Sequence, residues 1–183
     1  MAFKGKLLKN PVTGQDIIFL QTARDTGGNL LEMESTYLGR SQEPITHYHP
    51  EQAEDFFVIE GALTVMMNGF IRVYRSGEGF HVPKRTVHSM WNATNSRTVM
   101  NWQVRPALDT EYLLETTAGL AADGRTSSSG KPSLLQIALI GNRFRRVFRL
   151  AKPPYIVQRI LFSLLTPFAI LTGHKAIYRK YID

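Results

Sequence analysis

The sequence predicts an all-β fold, a two-sheet antiparallel β-barrel of jelly-roll type, followed by a C-terminal α-helical appendage. Turn-forming residues recur at short intervals through the first 105 residues, the rhythm of a sandwich or barrel. Between them lie short runs in which apolar and polar side chains alternate, the period of a half-buried strand. After about residue 130 the sequence becomes basic and takes up helical spacing, which sets the appendage apart.

Asn10-Pro11 and Thr13-Gly14 separate Lys6–Lys9 from the apolar run Asp16–Thr22. Asp25-Thr26-Gly27-Gly28-Asn29 turns the chain into Leu30–Leu38, where Glu32 and Glu34 alternate with Leu31, Met33 and Ser35. Phe56–Glu60 ends at Gly61, Leu63–Met67 follows, and Asn68-Gly69 signals a hairpin returning through Phe70–Arg75. Ser76-Gly77-Glu78-Gly79 leads to Phe80–Val82, and Thr98–Arg105 closes the set before Pro106. Leu108–Leu120 suits a last strand or a short helix. The expected division is a β domain over residues 1–120, a Gly- and Ser-bearing linker over 121–132, and a helical extension over 133–183.

In the extension, Ser133 suits an N-cap, and Leu134, Ile137, Ala138, Phe144, Val147 and Phe148 recur at helical spacing. Arg145, Arg146 and Arg149 fall in later turns, where the helix dipole favours cations. Pro153-Pro154 breaks this helix and can open the next. Ile156 to Leu171 is the most apolar window, but Gln158, Arg159 and Pro167 interrupt it, and it is shorter than the roughly 20 clean residues of a spanning helix. The favoured reading is a helix pair packed on the barrel or on a second subunit. Contact with an anionic membrane surface is the alternative, because arginines beside Phe and Leu suit one.

The chain has no cysteine, which excludes disulfides, thiolate metal sites and cysteine nucleophiles. The net charge of +7 is unevenly spread: residues 131–183 carry ten Lys/Arg against Asp183 alone, and residues 1–130 carry twelve against fourteen acids. With no basic, aromatic surface in the compact part, nucleic acid is not expected as a partner. Met1 to Asn10 is polar and lysine-bearing, without the apolar run of a secretory signal, so a cytoplasmic location is expected.

The chemistry concentrates between His47 and Asn92. Residues two apart on a strand point to one face, so His47 and His49 project together, and Glu54 on the next strand can reach the same interior. His88 arrives from a distant hairpin behind Pro83. Three imidazoles and a carboxylate suit a divalent first-row metal, and ligands drawn from several strands leave coordination positions open, as a catalytic ion requires. These residues resemble the two motifs of the cupin family. The first is His47-x-His49, four residues, Glu54, six residues and Gly61; the second is Gly77, Pro83, His88 and Asn92. The resemblance spans about residues 28–105 and implies a barrel in which His47, His49, Glu54 and His88 are the metal ligands. Two positions depart from it. Gly39 stands eight residues before His47 instead of six, and Arg85 occupies a place usually held by glycine.

Other residues receive plainer roles: His81 a packed or surface histidine, His174 a cation at a helix end, Asn92 a turn brace. Tyr37, Phe56, Met67, Met90 and Trp102 are read as core side chains that could also line the interior. Cupins that resemble this chain include dioxygenases, isomerases, decarboxylases and non-enzymatic binding domains, and fold does not choose among them. The leading expectation is a small metal-dependent oxygenase of dioxygenase type, or a lyase, acting on an apolar, oxygen-bearing small molecule. Glu54 is its catalytic residue, and iron, manganese, nickel, cobalt or zinc its ion. The alternative is a non-catalytic metabolite-binding or sensing barrel. The resemblance also implies a homodimer, since unpaired sheet edges need cover.

Overall fold

The computed structural model describes residues 1–182; Asp183, the single acid of the extension, lies outside the described residues. The strands that lead to the site are β1 (Leu7–Asn10), β2 (Gln15–Gln21), β3 (Leu31–Tyr37), β4 (His47–Tyr48) and β5 (Ala53–Glu60). They are followed by β6 (Ala62–Met67), β7 (Phe70–Arg75), β8 (Gly79–Val82), β9 (His88–Trp91) and β10 (Thr98–Arg105). In β3, Leu31, Met33 and Ser35 turn inward while Glu32 and Glu34 stay partly exposed, as the alternation predicts. The β6–β7 hairpin turns on Asn68 and Gly69, with φ of 50° and 88°, the paired left-handed conformations that twist with the strands.

These strands form two antiparallel sheets, β1-β2-β3-β10-β5-β8 and β4-β9-β6-β7, and a short β11 (Arg149–Leu150) extends the second at β4. Phe56, Val58 and Met100 from one sheet meet Leu63, Val65 and Met90 from the other in a shared core. Neither sheet closes into a barrel. The expected closed jelly-roll barrel is corrected accordingly: β1 and β8 end one sheet, β11 and β7 end the other, and each has a single strand neighbour. Apolar burial between the faces, not a ladder running around a circumference, joins the layers.

The ambiguous stretch after Pro106 is a helix, α1 (Thr110–Ala122). Leu114 and Ala118 pack on a core built from Leu8, Phe19, Leu31 and Val104, and Lys6 Nζ donates to the buried Glu115 carboxylate at 2.7 Å. Gly124, at φ 67°, supplies the left-handed residue that ends a helix. Residues 125–132 then make a turn in which Ser127 N–H donates to Lys131 O at 2.8 Å, closed by a bridge between Thr126 and Pro132.

Helix α2 (Leu134–Arg143) is capped by Ser133, whose hydroxyl accepts the Gln136 N–H at 3.3 Å. It stops short of Phe148, where the helical spacing ends. Phe144 and Val147 are buried with Leu113 and Leu120 of α1, and the chain leaves the helix to pair as β11 with the exposed edge of β4. Helix α3 (Tyr155–Leu171) lies against α2 so closely that a Cβ on Gly141 would meet the Phe162 ring at 2.5 Å. No helix among the described residues is long and apolar enough to cross a membrane.

Candidate metal centre

Strand register builds the site. His47 on β4 lies directly opposite His88 on β9, and Leu150 of β11 pairs with His47 from the other side. His49 follows as β4 ends. The ring centroids are 4.5 Å apart for His47 and His88, 5.1 Å for His47 and His49, and 5.3 Å for His49 and His88. One nitrogen from each of the three rings lies within 4.8 Å of the others, so this cluster could hold a metal ion. Glu54 reaches in from β5 of the opposite sheet, its Oε2 at 3.3 Å from His49 Nε2 and 3.1 Å from His88 Nε2. The structure thus brings together all four residues that the sequence singled out.

The outer nitrogens of the rings are spoken for. His47 Nδ1 faces Ile45 O at 3.0 Å, His49 Nδ1 faces Val147 O at 2.6 Å, and His88 Nδ1 faces Thr86 O at 2.9 Å. A carbonyl only accepts, so each Nδ1 carries the proton and each neutral ring keeps its Nε2 lone pair. Those of His49 and His88 turn toward the carboxylate of Glu54. Trp102 Nε1 donates to Glu54 Oε1 at 2.9 Å, leaving Oε2 to the histidines. The buried His49 Nε2 and Glu54 Oε2 have no hydrogen-bond partner. Lone pairs and an anionic oxygen that converge without a donor need a cation among them. The residues present therefore fit a divalent ion.

Electrostatics point the same way. Burial, reinforced by the charges of His49 and His88, pushes His47 down to about 3, so it is neutral. Burial also opposes charge on His49 and on Glu54, but their mutual attraction outweighs it. His49 is raised, and Glu54 is held well below the usual carboxylate range. The pocket is organised around one negative charge and one opposing positive charge, a proton or a metal ion.

The cluster borders a cavity of about 440 Å³. Tyr37, Phe56, Met90 and Trp102 line it, whereas Met67 packs into the intersheet core. Burial and the Glu54 charge raise the Tyr37 hydroxyl far above its ordinary value, so it stays a proton donor. The opposite wall comes from the helices: Leu113 and Leu114 of α1, Ile137 and Ile140 of α2, and Phe162 of α3. Phe148 stacks on His47 with centroids 4.8 Å apart, and Arg145 and Arg159 stand at the margin. Nothing in the residue pattern marks Val147 O, Phe148 or this helical wall as site components, because a backbone carbonyl carries no residue signature and apolar helix faces look alike.

The remaining singled-out residues lie outside. His81 is exposed and paired with Asp55 at 2.7 Å. Asn92 braces a loop, donating to Ser96 O at 2.6 Å and accepting from Thr94 N–H at 2.9 Å. His174 Nδ1 lies 3.0 Å from the Thr172 hydroxyl, beyond the end of α3. Arg85 takes φ 65°, keeping the backbone shape a glycine would adopt, and its N–H donates to His49 O at 2.8 Å. Gly39 sits where a Cβ would meet Asn95 O at 2.4 Å, so its place is set by the approach of that loop.

Residues 35–104 match the family model of the cupin domain. Among solved structures, the chain is similar to an RmlC-like cupin from Shewanella frigidimarina (19% identity, covering 61% of this chain and 94% of that one, TM-score 0.49). It is also similar to a predicted oxalate decarboxylase from Thermotoga maritima (15% identity, 58% and 99% covered, TM-score 0.49) and to KdgF from a Halomonas species (19% identity, 54% and 84% covered, TM-score 0.46). At these identities and TM-scores, none of them bears on the role of any residue here. No curated protein matches the chain. The match spans the stretch that carries the histidines: residues 35–104 are similar to the cupin domain, and within them His47, His49 and His88 form a cluster able to bind a metal ion.

Proposed function

We propose that this protein is a metal-dependent enzyme, an oxygenase of dioxygenase type or a related lyase, acting on an apolar small molecule that bears an oxygen function. The observation that carries this reading is the position of the histidine cluster beside a cavity of about 440 Å³ walled by aromatic and aliphatic side chains, the usual character of a small-molecule site. In this reading His47, His49, Glu54 and His88 hold the ion, one of iron, manganese, nickel, cobalt or zinc. A bound ion supplies Lewis acidity toward a substrate oxygen and, for iron or manganese, redox capacity. The protein does the rest. The apolar walls exclude water, the Tyr37 hydroxyl donates to a substrate oxygen, and the Glu54 carboxylate, steadied by Trp102, keeps its charge beside the histidines.

Protein purified without added metal is expected to carry a substantial fraction of one equivalent; less than about a tenth of an equivalent, with no thermal stabilisation by any of the five ions, would sink the ligand assignment. Glu54→Ala should weaken metal binding and abolish turnover while the sheets stay folded. Oxygen uptake screened over catechols, flavonols, β-diketones and thiols separates an oxygenase from a metabolite-binding protein, which would show thermal shifts alone. The reading includes a cytoplasmic location and a homodimer formed through the open edge at β7. Phe70 and Ile71 there are 80% and 66% exposed, the kind of edge that invites pairing. Light scattering of Ile71→Lys against the parent chain tests the dimer.

A further inference from the structure

Helix α3 buries only one side. Gln158, Phe162 and Ala169 turn inward, while Ile156, Val157, Ile160, Leu164, Phe168 and Leu171 stand exposed on the opposite side, Leu171 at 83% and Ile156 at 68%. Spaced mostly three or four residues apart, they form one continuous stripe. A stripe of this length left in water marks an interaction surface. At 17 residues the helix is too short and too interrupted to span a bilayer, but it has the length to lie in an interface.

Charge decides the occupant. Exposed cations flank both ends of the stripe, Lys152 and Arg159 at its start and Lys175 and Arg179 after its end. Among the described residues after 130 there is no acid to answer them. A second copy docked stripe to stripe would bring these cations toward their own duplicates. An anionic lipid surface accepts the apolar stripe among its acyl chains and the flanking cations among its headgroups. We propose that α3 is an interfacial membrane helix, docking the protein on anionic bilayers. The inward face of the same helix walls the cavity through Tyr155, Gln158 and Phe162, so docking holds that cavity one helix thickness from the lipid, a placement suited to an apolar ligand drawn from the bilayer.

Flotation of the full chain with phosphatidylcholine vesicles, with and without phosphatidylglycerol, tests this independently of turnover. The protein is expected to float with the anionic vesicles, to release at high salt, and to bind at least about tenfold less as the triple variant Ile160→Glu/Leu164→Glu/Phe168→Glu. Those side chains are solvent-exposed, and the circular dichroism and metal content of the variant should match the parent. Lys152→Glu/Lys175→Glu should erase the preference for anionic over neutral vesicles. No flotation by the parent chain, or flotation by the triple variant equal to it, overturns the proposal. So does a parent chain that fails to float and scatters as a dimer which the triple variant dissociates, since the stripe then joins two copies.

Discussion

Glu54 depends on an indole. Trp102 Nε1 holds one carboxylate oxygen and so aims the other at the histidines. Trp102→Phe keeps the ring and removes the donor, and metal affinity should fall about tenfold or more; competition titration yielding an affinity within twofold of the parent would show that Glu54 is oriented by something else. Arg85 carries backbone strain in the turn before His88. Arg85→Gly relieves it and should raise stability by up to about 1 kcal/mol, read from the denaturation midpoint; a lower midpoint would contradict this. The metal-free protein should also show a characteristic pH profile. The raised His49 contributes stability that is complete below its ordinary 6.5 and fades as pH rises through the folded value. The depressed Glu54 contributes stability present above its ordinary 4.5 and lost as pH falls through its folded value. The melting temperature should therefore peak between these two limits and drop on either side. Adding the ion should remove the alkaline decline, because the cation replaces the proton; a decline unchanged by metal would refute the coupling. That His47, His49, Glu54 and His88 would meet was legible because their types and spacing are written in the chain. Trp102 was named as a side chain that could line the interior, but its hold on Glu54 was not legible, since it arises from the β10–β5 register that sets Trp102 opposite Phe56.

Strand β11 is the element that could not be read beforehand. Two residues long, it has no room to show a period, and Phe144, Val147 and Phe148 fit a continuing helix equally well. What ends the helix is tertiary: Val147 O is taken by His49, and the edge of β4 offers unpaired backbone groups that β11 satisfies. Ala151 N–H completes the attachment by donating to Thr46 O at 3.0 Å. Ala151→Pro deletes that donor, at a cost of about 1–3 kcal/mol. It should loosen His47 and weaken metal binding while the melting of the two sheets stays cooperative. Retained affinity would mean that β4 is held by β9 alone. The longer strands and the Asn68-Gly69 hairpin were legible because alternation and turn chemistry are local.

Across the molecule, local alternation says which side chains face inward but not which edges meet, and the expected barrel gives way to two open sheets for that reason. The cluster of His47, His49, His88 and Glu54 straddles them, with His47 and His88 on one sheet, His49 just past the end of β4, and Glu54 on the other sheet. An ion bound there ties the layers together. At a hundredfold excess over its dissociation constant it adds about 2.7 kcal/mol, which for a chain of this size is a rise of about 5–10 °C in melting temperature; a saturating ion that leaves the melt unmoved would place its ligands elsewhere. The contact between His49 Nδ1 and Val147 O spans 98 residues of sequence, and this fixes an order of manufacture. The chain through His88 leaves the ribosome and can begin to fold before Val147 has been made. Until it arrives, the His49 imidazole lacks the acceptor that sets its tautomer, and Phe148 does not yet cover His47. A chain stopped at Gly130 should accordingly take up metal more weakly and exchange it faster than the full chain, as metal titration of the two would read.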